Sequence, residues 1–151
     1  MAGGATKLTT LEVTSTSTFT GAITASGGVV GDVTGNVVGG AKNLVTAVTA
    51  DGAISIPTVN RSYFITKAGV AAMTIADPTA TTHDGVRLTF IATTAHAHTL
   101  SNAAGSGFFS SGGATKDVAT FGGAIGDGIV IEAYQGKWYI VPGGSLNATL
   151  G

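Results

Sequence analysis

The two histidines of Ala95-His96-Ala97-His98 are spaced to do chemistry. On a strand, side chains two residues apart share a face, so His96 and His98 would project together. Neutral imidazole is a good ligand for a transition metal, and three chains around an axis would offer six rings. A ligating imidazole is normally oriented by a partner on its other nitrogen, yet no Asp or Glu lies close by in sequence. The plainer expectation is a pair of polar strand residues, hydrogen-bonded at a subunit contact. No metal or other cofactor is expected; were a metal bound, His96 and His98 are the candidate ligands.

Other constellations fail on context. His83-Asp84 sits beside Gly85, and no nucleophile elbow accompanies it among the many serines, so a turn is expected rather than a catalytic triad. The only glutamates, Glu12 and Glu132, lie far apart, and no spacing suggests paired glycosidase carboxylates. The glycine-rich segments do not lead from a strand into a helix, as a phosphate-binding loop requires. Tyr134, Trp138 and Tyr139 could form a sugar-binding face. Alternation places Trp138 and Tyr139 on opposite faces of a strand. Trp138 is expected in the core and Tyr139 at a rim or subunit contact. A carbohydrate role, if present, is expected on outward loops such as 101–115. No enzymatic activity is expected.

The elements that must position these residues are strands. Charged residues make up 10% of the 151, well below the usual quarter, and the net charge is -1. That balance argues against nucleic acid or an anionic membrane as partner. Without cysteine there is no disulfide and no thiol chemistry. The opening MAGGATKLTTLEV lacks the basic start and apolar core of a secretory signal. So uncharged a surface is expected to be covered by partners.

Two grammars divide the chain near residues 39–43. From Leu11 to Ala41 one parity carries the large apolar residues, while Glu12 to Ser26 supply mostly Thr and Ser on the other. A period of two held this long reads as extended strand. Within it, Val29, Gly31, Val33, Gly35, Val37 and Gly39 share one face that alternates bulky and empty. Glycine in a strand marks a bend or a close backbone approach. A lone strand of this kind would expose its apolar face and unpaired backbone. Three chains wrapped on a common axis would shelter both, with valines meeting at the axis. Residues 1–43 are therefore expected to form an arm or stalk that intertwines in a homotrimer; a flexible linker is the alternative.

Residues 44–151 read as a β-sandwich or small barrel of short strands, expected at 44–49, 53–56, 61–66, 71–75, 86–93, 97–100, 117–121, 128–134 and 137–141. Asp51-Gly52, Asp84-Gly85 and Asp127-Gly128 mark turns, and Tyr134-Gln135-Gly136-Lys137 is a hairpin signature. Residues 101–115 read as a long loop, with Phe108 and Phe109 unusual among small neighbours. The fold class is all-β throughout.

The segment TFTGAITASGGVVGDVTGNVVGGA resembles the repeat segments of fibres and decoration proteins of tailed bacteriophages. DGAISIPTVNRSYFITKAGVAAMTIADPTA, GVRLTFIATTAHAHTL and IGDGIVIEAYQGKWYIV are similar to the β-domain that follows such repeats in head-fibre and capsid-decoration (cement) proteins. The resemblance implies a trimeric, non-enzymatic virion protein and transfers no functional residue. One short stalk and one small domain suit many equivalent positions on a shell, so the expected location is the outer capsid surface. The expected partners are other copies of the chain and the major capsid protein, after synthesis in the bacterial host cytoplasm. A tail fibre or adhesin binding a host-surface glycan is the alternative.

Gly35→Val fills the gap between successive valines and should weaken oligomer assembly, whereas Thr34→Ser on the opposite face should be mild. Light scattering coupled to size exclusion during dilution tests the pair, and equal, negligible effects would refute the packing of this segment.

Overall fold

The computed structural model describes residues 43–102, 105–113 and 115–151. The expected stalk packing at Val29, Gly31, Val33, Gly35, Val37 and Gly39 lies outside them. The described part is all-β. Its strands are β1 (Leu44–Val48), β2 (Gly52–Ile54), β3 (Arg61–Ile65), β4 (Ala72–Ile75), β5 (Arg87–Ala92), β6 (Thr99–Asn102), β7 (Phe108–Phe109), β8 (Thr115–Lys116), β9 (Val118–Phe121), β10 (Gly128–Tyr134), β11 (Lys137–Leu146) and β12 (Ala148–Leu150).

They form a seven-stranded sheet, in the order β1-β3-β5-β10-β11-β7-β8, and a five-stranded sheet, β12-β9-β6-β4-β2. In its first half the chain alternates between sheets. β1, β3 and β5 pair in parallel in one, and β2, β4 and β6 pair in parallel in the other. Each successive strand pair thus makes one rung of a stack. Direction then reverses. β9 is antiparallel to β6 and β10 to β5, and β11 and β12 continue the antiparallel pairing at β10 and β9.

Alternation explains the core. In β5, Leu88, Phe90 and Ala92 are buried while Arg87 is exposed and Thr89 and Ile91 are half-buried. The same parity buries Tyr63 and Ile65 in β3, Met73 and Ile75 in β4, and Ile129, Ile131 and Ala133 in β10. These residues, with Leu100, Phe108, Phe121 and Trp138, form one apolar cluster between the sheets. Tyr63 stacks on Phe90 with ring centroids 4.9 Å apart, a geometry that adds about 0.5–1.5 kcal/mol beyond burial.

Two aromatic residues of the larger sheet carry a polar group into this core and find a carbonyl belonging to the other side. The Tyr63 hydroxyl donates to the Ser55 carbonyl just past β2 at 2.9 Å, and Trp138 Nε1–H donates to Ala76 O just past β4 at 2.9 Å. Burial raises the Tyr63 phenol above its ordinary value, so the ring stays a donor at neutral pH. The hairpin of β10 and β11 turns through Gln135 (φ 48°) and Gly136 (φ 75°), the paired positive φ values of a type I′ turn.

Phe90→Ala should cost about 3–5 kcal/mol through the cavity it leaves. Tyr63→Phe should cost about 0.5–1.5 kcal/mol for the lost hydrogen bond. Urea unfolding of each variant checks both values and their order.

Candidate functional site

The outer face of the seven-stranded sheet brings chemistry-bearing side chains into register. Arg87 pairs across with Glu132, Glu132 with Tyr139, and Tyr139 with Phe109, one residue from each of four adjacent strands. All four have the outward parity of their strands, and Tyr134 and Lys137 form the next cross-strand pair on the same face. Arg87 donates to Glu132 Oε2 through Nε at 3.0 Å and Nη2 at 2.7 Å. The Phe109 and Tyr139 rings lie 5.3 Å apart, tilted by 31°. Lys137 Nζ lies 4.8 Å from the Phe109 ring centre, within cation–π range.

A bulge completes the relief. Ile131 pairs with Ile140, but Ile129 pairs with Ser145, so residues 141–144 stand opposite Val130 alone. Gly143 takes φ 74°, and a Cβ on Gly144 would come 2.7 Å from Val141 O and 2.9 Å from Val130 O, so this stretch demands glycine. The bulge raises Val141 and Pro142 into a wall beside Tyr139. Two grooves share that wall, one of about 290 Å³ running to Arg87, Glu132 and Tyr134, the other of about 480 Å³ running to Phe109, Ser110 and Ser145.

The expected division of the aromatic group is observed. Trp138 is fully buried, Tyr139 is 38% exposed and Tyr134 is 59% exposed. Sequence reasoning missed the pairing of Phe109 with Tyr139 because 101–115 read as loop. The Phe108-Phe109 dipeptide was the signal that a strand lay there, one ring for the core and one for the face. Pro142-Gly143-Gly144 was the unread mark of the bulge.

The histidines are placed differently from the strand expectation. β6 starts at Thr99, so both precede it, and their rings stand 70° apart with centroids 6.1 Å apart. His98 is fully buried. Its Nδ1 accepts the Ala71 N–H at 3.0 Å, and its Nε2 lies 3.1 Å from Thr94 Oγ1. Thr94 Oγ1 donates to Lys67 O at 2.9 Å, which leaves Nε2–H as the donor to Thr94. With both nitrogens engaged, His98 ties β6 to the segment before β4. Among the described residues no three His, Cys, Asp or Glu side chains gather to hold a metal ion.

His83 and Asp84 are braces. His83 Nδ1 accepts the Thr79 N–H at 2.8 Å. Asp84 accepts from Gln135 N–H at 2.7 Å and Gln135 Nε2 at 2.8 Å, pinning the β10–β11 turn. Asp51, beyond β1, accepts from Lys67 Nζ at 2.6 Å and Ala72 N–H at 2.7 Å. The Lys67 ammonium, then the Ala72 amide, holds its carboxyl below the ordinary value.

At the first rung, a cleft of about 420 Å³ opens between β1 and β2, with Thr46, Val48, Ile54, Ile56, Arg61 and Tyr63 among its lining. Arg61 Nη1 donates to Thr46 Oγ1 at 2.8 Å, while its buried Nε has no hydrogen-bond partner among the described residues. No protein-family model matches this chain, and no curated protein matches it in sequence.

Burial holds the His98 imidazole below its ordinary value. Protonation would put a proton on Nδ1, where the Ala71 N–H already points. The unfolded chain therefore binds the proton more readily than the folded one. The stability due to neutral His98 is complete above about pH 6.5 and is lost as pH falls toward the depressed folded value. Urea midpoints should decline as pH falls below about 6.5, and His98→Leu should lower the neutral-pH midpoint while removing much of that slope.

Proposed function

We propose that this chain is a trimeric structural protein of a tailed-bacteriophage virion, a head-fibre or cement protein that decorates the outer head surface. The observation that carries the reading is the valine–glycine alternation in the sequence from Val29 to Gly39, a period-two pattern that would leave an apolar face without shelter on a lone extended strand. The all-β domain is compatible with it. Its catalytic-looking residues, His83, Asp84 and His98, are spent on backbone hydrogen bonds that hold loops. Apolar Leu44, Val45 and Val59 are exposed in and near the first rung, which is surface suited to a protein partner.

The mechanism is bridging. Arms of a trimer seat on or between copies of the major capsid protein, and the domains face outward. Contacts that exist only in the assembled shell stabilise it by linkage, and three arms on one body bind with high effective concentration. The second reading, a host-binding fibre or adhesin, is favoured by one observation, the aromatic and charged grooves beside Tyr139.

Electron microscopy of virions carrying a labelled copy separates the two. Label over the head is the expected result. Label confined to the tail tip would reject decoration in favour of the fibre reading.

A further inference from the structure

We propose that the grooves flanking Tyr139 bind a neutral saccharide. This goes beyond the structural role and holds for a protein on head or tail alike.

A pyranose ring offers an apolar C–H face and an equator of hydroxyls that both donate and accept. Its site needs a flat aromatic surface beside groups of both hydrogen-bonding kinds. The cross-strand row supplies them in order. Tyr139 is an exposed ring held by Phe109 on one flank, and Lys137 holds Phe109 in turn. On the other flank, Glu132 and Arg87 present carboxylate and guanidinium side by side. Glu132 accepts through Oε2 alone among the described residues, so Oε1 remains an acceptor. The guanidinium has donors beyond the two that it spends on Glu132. Paired, the two groups bring no net charge to the groove. In the groove that Arg87 and Glu132 line, that balance favours a neutral ligand over an anionic or cationic one.

Rigidity argues the same way. The row sits on four hydrogen-bonded strands rather than on a loop, so it is preorganised, and the bulge wall of Val141 and Pro142 divides the surface into two adjoining compartments. Their volumes, about 290 and about 480 Å³, bracket the lower end of the roughly 300–1,000 Å³ typical of small-ligand sites. An oligosaccharide with units on either side of Pro142 fits this division better than a single sugar. Tyr134, 59% exposed, supplies a second ring at the Arg87 end. Unlike the expectation placed on loop 101–115, the site lies on the sheet itself, and that segment contributes Phe109 and Ser110.

Saturation-transfer and titration NMR on the full chain in its native oligomer, with maltose, lactose, cellobiose and N-acetylglucosamine as probes, tests the proposal. At least one probe should receive saturation at its ring C–H protons and bind with millimolar affinity. Tyr139→Ala should weaken that binding at least about tenfold. Thr99→Ser, in the five-stranded sheet, should leave it unchanged. Should Tyr139→Ala fail to fold, Tyr134→Ala carries the same test at a more exposed position. Absence of transfer to all four probes would overturn the proposal, as would undiminished binding in the variant. An oligomer that dissociates on Tyr139→Ala with no sugar response would assign the grooves to a contact between copies instead. None of these failures bears on where labelled protein sits on a virion, so the two readings fail separately.

Discussion

Parallel pairing is the constraint on which this domain rests. Two neighbouring parallel strands cannot be joined by a hairpin, so the chain must leave the sheet and return. Here it does so by crossing to a second sheet, laying down β2, β4 and β6 opposite β1, β3 and β5. No helix is needed, because each sheet covers the other. The inward side chains of one rung meet those of the next in register, with Tyr63 beside Phe90 and Met73 beside Leu100. Alternate residues are thereby committed to the core, and the outer faces are left to Thr, Ser and the row that ends at Phe109.

Polar groups follow the same logic. A sheet sandwich has few places for a buried donor, yet Tyr63, Trp138 and His98 each place one there. Each meets a carbonyl, an amide or a hydroxyl close to a strand end, where the ladder has stopped using its own groups. Of the titratable residues that looked chemical in sequence, His83, Asp84 and His98 are consumed by backbone groups. Neutral His98 is a structural acceptor whose value depends on staying unprotonated.

How much of this was legible depended on residue size. Each of the nine strands expected in 44–151 overlaps an observed one, most clearly where apolar and polar residues alternate, as Leu88, Phe90 and Ala92 do with Arg87 and Thr89, and least for 97–100, of which only Thr99 and Leu100 lie in β6. β7, β8 and β12 went unread, as did the far half of β11. These stretches are short or built from Gly, Ser, Thr and Pro, and they pair only because a finished neighbour offers an edge. Phe108 declares itself as core only once Trp138 is beside it. Parallel order was invisible for a related reason: alternation fixes which face a residue takes but not which strand lies next to it. Arg87 and Glu132, 45 residues apart, could not be joined by any local pattern. The histidine pair was misplaced because the strand starts at Thr99, two residues later than alternation alone suggested.

The stack has two unlike flanks. Toward β1 and β2 every strand points the same way as its neighbour; past β5 and β6 the chain runs backward in β10 and β9. A duplicated coil could be inherited ahead of β1 or between parallel rungs without changing the sense in which its neighbours pair, whereas the reversed strands β9 and β10 end that repetition. Lengthening over evolutionary time is therefore confined to the parallel part of the stack, and homologues of different size should differ in their number of parallel rungs while keeping the reversed strands intact.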